Sequence, residues 1–311
     1  MKIKETLHPR NKHRTAYDIK KLLSIVPQLK EFVKKTPSGE ESLDWTSPEA
    51  VFFLNKALIL CYYKLENWSV PKGFLCPPVP GRADYIHYAA DLLASVNEDQ
   101  VPKGRSIRVL DLGVGANCIF PIIGVAEYGW RFVGAELNPV AFKSAKGIAA
   151  FNKNLQRNVE IRMQKEVGVY LHNIIRPNDY FDLLVCNPPF YKSTEEADQH
   201  AMRKIKNLSK GKNNSKIMNF GGEEHELITE QGEFGFINGL IEESALYPTR
   251  VFWYTTLVSN AKHLSQFYKK LKDNKVQVYK TIEMKQGNKI SRILAWTFLK
   301  PKEQKKWKFV G

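Results

Sequence analysis

Along the first quarter of the 311-residue chain, apolar positions recur every three to four residues, the spacing that lines one face of a helix. Two stretches carry it: "TAYDIKKLLSIV" (15–26) and "AVFFLNKALILCYYKL" (50–65). The second follows the start signal "TSPE", with Pro48 suited to a first turn. "VPKGFLCPPVPGR" (70–82) then crowds four prolines and two glycines into thirteen residues and reads as an ordered connection between two modules. A further helix is predicted over "ADYIHYAADLLASV" (83–96). From residue 107 the period changes. Near-continuous apolar runs at "IRVLDL", "RFVGAEL", "VEIRM", "FDLLVC" and "RVFWYTTLV" predict parallel strands buried on both faces. Helices such as "NPVAFKSAKGIAAFNKN" and "NAKHLSQFYKKLKDN" lie between them. "VQVYKTIEM" and "ISRILAWTFL", joined by "KQGNK", predict a closing hairpin.

The expected fold is therefore α/β: a doubly wound, Rossmann-like, seven-stranded mixed sheet with a closing antiparallel hairpin and an N-terminal helical extension. A parallel sheet ending in such a hairpin resembles the class I S-adenosylmethionine (SAM)-dependent methyltransferases. The expected division is a helical RNA-binding or extension module over residues 1–80 and a methyltransferase domain over residues 81–311. A long polar segment, 191–235, contains "RKIKNLSKGKNNSK" and "NFGGEEHE". Such a charge run serves either as a solvated surface or, beyond the end of a sheet strand, as a functional loop.

Composition narrows the function. Lys and Arg total 47 against 32 acids, a net charge of +15, which favours a polyanionic partner over an acidic or neutral one. The longest apolar patch, "ALILCYY", is far too short to span a bilayer, and the basic start "MKIKETLHPRNKHRTAYD" leads into no apolar stretch. Four scattered cysteines form no C-x-x-C pair or disulfide framework, the usage expected of reduced thiols in the cytoplasm. The seven histidines share no metal-ligand spacing, so no metal site is expected.

"VLDLGVGAN" (109–117) follows a strand and opens a helix, so Gly113 and Gly115 can let the backbone approach a ligand where a side chain would clash. The third glycine of the dinucleotide fingerprint is missing, since position 118 is Cys118, which argues against a nicotinamide or flavin. Asp111 precedes the glycines. Glu136 ends the next strand, where an acid accepts hydrogen bonds from the ribose hydroxyls of an adenosine group, or else caps the helix beginning "NPVAF". Arg82 is a candidate for the carboxylate of a methionine moiety, or else an ordinary surface arginine after a turn. Together these positions fit SAM.

"VCNPPFYKS" (185–193) ends a buried strand with two prolines. Methyl transfer to an exocyclic amine requires that its delocalised lone pair be localised. The side-chain oxygen of Asn187 and the carbonyl of Pro188 can each accept one N–H of that amine. Pro188 and Pro189 fix the backbone and donate nothing to the ladder, and Phe190 offers a face for stacking a base. The motif leaves adenine N6, cytosine N4, guanine N2 and a glutamine amide open as acceptors.

"HPRNKH", "GFLCPPVPGRADYIH", "VLDLGVGANCIFPIIG", "VCNPPF", "NFGG" and "GNKISRILAWTF" together resemble the bacterial 23S ribosomal RNA adenine N6-methyltransferases, and the resemblance spans almost the whole chain. That family modifies adenine 1618 of the large-subunit RNA and is related to eukaryotic enzymes acting on U6 small nuclear RNA. The resemblance implies that Arg82, Gly113, Glu136 and Asn187 contact SAM or the target amine, and that Asn187 to Phe190 form the catalytic wall. It also implies that Arg10, Lys12 and Arg14 touch RNA phosphates, with Lys204, Lys206, Lys210 and Lys212 as further RNA or gating candidates. The partner would be 23S ribosomal RNA or a large-subunit precursor. Two other readings stand beside this one: an N2-guanine ribosomal RNA methyltransferase, and a non-catalytic SAM-binding ribosome assembly factor.

Overall fold

A computed structural model describes residues 6–35, 41–43, 47–189, 232–286 and 289–309. The N-terminal part holds α1 (Ile19–Ile25), a short antiparallel pair of β1 (Val33–Lys35) and β2 (Glu41–Leu43), and α2 (Pro48–Tyr63). The side chains of Asp18 and Ser47 cap the two helices by accepting from the N–H groups of Lys21 and Ala50. The β1–β2 pair was not expected. Its three-residue strands are too short to show a period of two.

Helix α3 (Val79–Ala94) starts four residues before the predicted helix. Prolines belong to a first turn, where no N–H is owed to the ladder, so Pro80 does not delay the helix. Arg82 therefore rides on α3 instead of following a turn. The boundary expected at residue 80 falls inside this first turn. Ile59, Tyr63 and Trp68 from before it share one core with Ile86, Val109 and Ile122 from after it.

The main sheet is built from β3 (Arg108–Leu112), β4 (Arg131–Glu136), β5 (Val159–Met163), β6 (Phe181–Cys186), β7 (Val251–Val258), β8 (Val278–Gln286) and β9 (Lys289–Thr297). Its order is β5-β4-β3-β6-β7-β9-β8, parallel from β5 to β7, with β9 antiparallel to both neighbours. The seven-stranded mixed sheet and closing hairpin are thus as expected. The intervening helices are α4 (Ile119–Tyr128), α5 (Pro139–Phe151), α6 (Lys153–Gln156), α7 (Gly232–Ser244), α8 (Leu264–Asp273) and α9 (Pro301–Gln304). The helix predicted over 138–154 breaks at Asn152. This fully buried side chain accepts from the N–H groups of Glu66 and Asn67 and donates to the carbonyls of Asn67 and Ile148, fastening the chain after α2 to the end of α5.

Side chains alternate across the sheet. On β3, Val109 enters the core beneath α3 and α4, while Leu110 and Leu112 enter the core with Ile237 and Leu240 of α7. No described helix is long and apolar enough to cross a membrane.

Candidate active site

The chain runs from β3 outward through β4 to β5, then returns to β6 on the other side of β3. In an open α/β sheet, the crevice outside the carboxyl ends of the strands at such a reversal is where ligands bind. The register brings the predicted residues to that edge. Leu112 pairs with both Ala135 and Cys186, so Glu136 closes β4 while Gly113 and Asn187 follow the ends of β3 and β6, three adjacent strands.

After β3 the backbone turns sharply. Gly113 and Gly115 take φ of 76° and 64°, and the N–H groups of Gly113 and Val114 both donate to the Ala135 carbonyl. A Cβ on Gly113 would meet nothing within 4 Å, so the space above this glycine is open. Cys118, which stands where the dinucleotide fingerprint has its third glycine, is left-handed at φ 56° and occupies the position before α4 without a side-chain capping bond.

Glu136 is 9% exposed and accepts three main-chain hydrogen bonds, from Gly115 at 2.8 Å and from Leu137 and Asn138 at 2.9 Å. Burial raises its pKa and these bonds oppose the rise. It does not cap α5: Asn138 does, accepting from Val140 and Ala141. A carboxylate has about four lone-pair sites, so Glu136 retains capacity for ligand hydroxyls.

Asp111 is fully buried, and neither carboxylate oxygen has a hydrogen-bond partner among the described residues. Burial, then Glu136, push its pKa well up, while Arg82 pulls it down. The Arg82 guanidinium lies 5.9 Å from the Phe120 ring centroid, and burial lowers its pKa to about 10. At Asn187 the side-chain oxygen is buried and likewise has no described partner. Pro188 is buried and Pro189 half-buried. Phe190, Lys204, Lys206, Lys210 and Lys212 lie outside the described residues.

Open space over Gly113 and unpartnered buried oxygens on Asp111 and Asn187 at one sheet edge are what a bound polar cofactor would fill and satisfy. These residues fit SAM: Glu136 for ribose, Arg82 for a carboxylate, the glycine turn for close approach. Among the described residues, no group of three or more His, Cys, Asp and Glu side chains could hold a metal ion.

Sequence reasoning missed Tyr85. Its hydroxyl, fully buried beneath β6, accepts from the Cys186 N–H at 3.1 Å and lies 2.8 Å from Thr255 Oγ1. Thr255 spends its own hydrogen on the Leu184 carbonyl at 2.6 Å, so Tyr85 is the donor to Thr255. The relay occupies the place where β6 and β7 part, since their pairing ends at Leu184↔Tyr254. The signal was available: Tyr85 lies three residues after Arg82, on the same helix face.

The expected RNA-touching arm is folded against α3 and α4. Arg10 pairs with Asp91 at 2.6 Å and donates to the Tyr128 hydroxyl and the His87 carbonyl, and Lys12 pairs with Glu127 at 2.8 Å. Arg14 reaches the Pro9 carbonyl at 3.4 Å. Arg10 and Lys12 thus each pair with an acid on a helix, with 39% and 43% of their side-chain surface still exposed.

The sheet order, the glycine turn after β3, the acid ending β4 and the Asn-Pro-Pro wall ending β6 define a SAM-dependent methyltransferase. A family model described as RNA methyltransferase matches residues 1–300. The ribosomal RNA large subunit methyltransferase F of Flavobacterium johnsoniae is 47% identical over 308 residues, covering 98% of each chain. Its Escherichia coli namesake is 47% identical over 305 residues, 98% of this chain and 97% of that one. Among solved structures, the human METTL16 catalytic domain in complex with a MAT2A 3′UTR hairpin superposes with a TM-score of 0.78 at 27% identity, covering 95% and 96% of the two chains. The human METTL16 N-terminal domain in complex with SAH gives 0.73 at 26% identity, covering 94% and 99%. The chain belongs to this family of RNA methyltransferases.

Proposed function

We propose that the chain transfers the methyl group of SAM to N6 of an adenine in 23S ribosomal RNA, at the position equivalent to adenine 1618. The observation that carries the reading is the buried, unpartnered Asn187 oxygen at the carboxyl end of β6, on the edge that also holds Glu136 and the glycine turn. The relatives named for the ribosomal RNA large subunit support the choice of RNA. Bound SAM supplies an electrophilic methyl group on a sulfonium centre. Glu136 holds the ribose hydroxyls, Arg82 grips the methionine carboxylate, and Gly113 and Gly115 let the backbone come close.

Asn187 and the Pro188 carbonyl accept the two hydrogens of the adenine amine, turning its lone pair toward the methyl group. Pro188 and Pro189 keep those acceptors stiff, and Phe190 stacks the base, an interaction worth about 1–3 kcal/mol. An adenine inside a duplex must first leave its stack. Ribosomal RNA as the substrate puts the enzyme in the bacterial cytoplasm.

The test is nucleoside mapping of 23S RNA from deletion and wild-type cells. Deletion is expected to remove one N6-methyladenosine, restored by the wild-type gene and not by Asn187→Ala. An unchanged map in the deletion strain overturns the target, loss of N2-methylguanosine instead moves the chemistry to guanine, and restoration by Asn187→Ala overturns the catalytic assignment.

A further inference from the structure

At the amino end of the sheet, opposite the Asn187 edge, four arginines line a surface cavity of about 250 Å³. Arg108 and Arg131 open β3 and β4 and are register partners, while Arg105 precedes β3 and Arg157 precedes β5. Parallel strands start together, so three chain segments more than twenty residues apart deliver their cations to one place. The cluster is also ordered. Arg131 Nε donates to the Arg105 carbonyl at 2.6 Å, and Arg105 Nη2 donates to the Arg157 carbonyl at 2.8 Å. Each bond uses one of the five N–H groups a guanidinium offers and fixes its direction.

Each of the nearby acids already has partners, and one of the four cavity arginines, Arg108, is among them. Asp179 is held by Arg108 and Arg162, and Glu160, at the rim, is held by Arg162 and Arg176. Among the described residues no carboxylate forms an ion pair with Arg105, Arg131 or Arg157. Burial, then Arg108 and Arg105, lower the pKa of Arg131, while Asp182 opposes the drop. Arg105 and Arg131, each directed by a carbonyl and keeping further N–H donors, stand with Arg157 around one cavity, an arrangement chemically suited to an anion.

We propose that this cavity is a second RNA-contact site, which takes the phosphodiester backbone of the ribosomal RNA away from the target adenine. The inference rests on RNA being the substrate. Guanidinium forks match phosphate oxygens in pairs, which a hydrated lysine surface does not do. Along β3 the cavity and the catalytic edge are separated by about 17 Å at 3.3 Å per residue and lie at opposite ends of the sheet, so only an RNA large enough to pass round the sheet engages both.

The test uses Arg105→Gln/Arg157→Gln, two exposed positions away from the catalytic edge, with Arg105→Lys/Arg157→Lys as the charge-retaining control. Binding is measured against salt for full-length 23S RNA and for a short hairpin carrying the target adenine. The glutamine variant is expected to flatten the full-length log K against log salt slope by about 1.5, at 0.7–0.9 per lost phosphate contact, and to weaken that binding roughly tenfold in low salt. The lysine variant is expected to keep the slope, and hairpin binding and methylation are expected to be unchanged in both. A full-length slope and affinity unchanged in the glutamine variant overturn the second site, even if inorganic phosphate binds there, and leave the methylation reading intact. Loss of hairpin methylation in the glutamine variant also overturns it, because the cavity would then act on the catalytic edge itself.

Discussion

At the scale of single residues, the wall around Asn187 depends on a hydroxyl that never touches the substrate. Replacing Tyr85 by Phe removes the acceptor of the Cys186 N–H and leaves that buried donor unpaired, which costs about 1–3 kcal/mol. Denaturant unfolding should show this loss, and kcat should fall while the KM for SAM stays near wild type, because the Tyr85 hydroxyl supports β6 and not the Glu136 edge. A double-mutant cycle with Thr255→Val should give a coupling of about 0.5–3 kcal/mol, since the two hydroxyls form one relay. Additive effects would mean that the relay does not act as a unit.

Asn187, Glu136, Asp111 and the glycines were legible in the sequence because each lies near the end of a strand whose apolar run is plain, or just beyond it. For Tyr85 only its position beside Arg82 on the helix face was legible; its task was not, because that arises where β6 and β7 diverge, a separation created by the whole sheet. Arg10 and Lys12 were legible as cations but not as internal ion pairs. Their partners, Asp91 and Glu127, lie more than 80 residues away on α3 and α4.

At the scale of elements, α4 packs on the sheet at Gly124, where an added Cβ would stand 2.3 Å from the Phe132 ring. Phe132 is 2% exposed and has no room to withdraw, so Gly124→Ala must push the helix off β4. We expect a loss of about 1–3 kcal/mol, measured by thermal or chemical unfolding, with Phe132→Leu restoring part of it in the double variant. Additive losses in that pair would place the strain elsewhere. The parallel strands were legible because burial on both faces demands unbroken apolar runs. The start of α3 was hidden because a proline cluster serves equally as a rigid connector and as a helix's first turn, and the choice rests on packing against the core.

At the scale of the whole molecule, the Asp179 cluster ties three parts of the chain together. Its carboxylate receives Arg108 from β3, Arg162 from β5 and the Arg176 N–H. Burial alone would push Asp179 up, but the bonds from Arg162, Arg176 and Arg108 hold it at about 2. A carboxyl whose folded pKa lies below its ordinary value of 3.8 stabilises the fold above that value and loses the contribution as pH falls toward 2. Wild type should therefore lose about 1–2 kcal/mol more than Asp179→Asn between pH 4.5 and pH 2, less than the full linkage value because water reaches part of the cluster. Parallel acid-unfolding curves for the two proteins would remove Asp179 from the account of acid stability.

The sheet order has one more effect, on the unfinished chain. All eight residues of β7 are buried, and one of its edges is covered by β9, which is made more than thirty residues later and slides in before β8. A nascent or truncated chain that ends before residue 289 therefore carries "VFWYTTLV" as a naked, apolar, hydrogen-bonding edge, the kind of strand that recruits a copy of itself. Premature termination in the last hairpin should thus yield an insoluble product, not a weak enzyme.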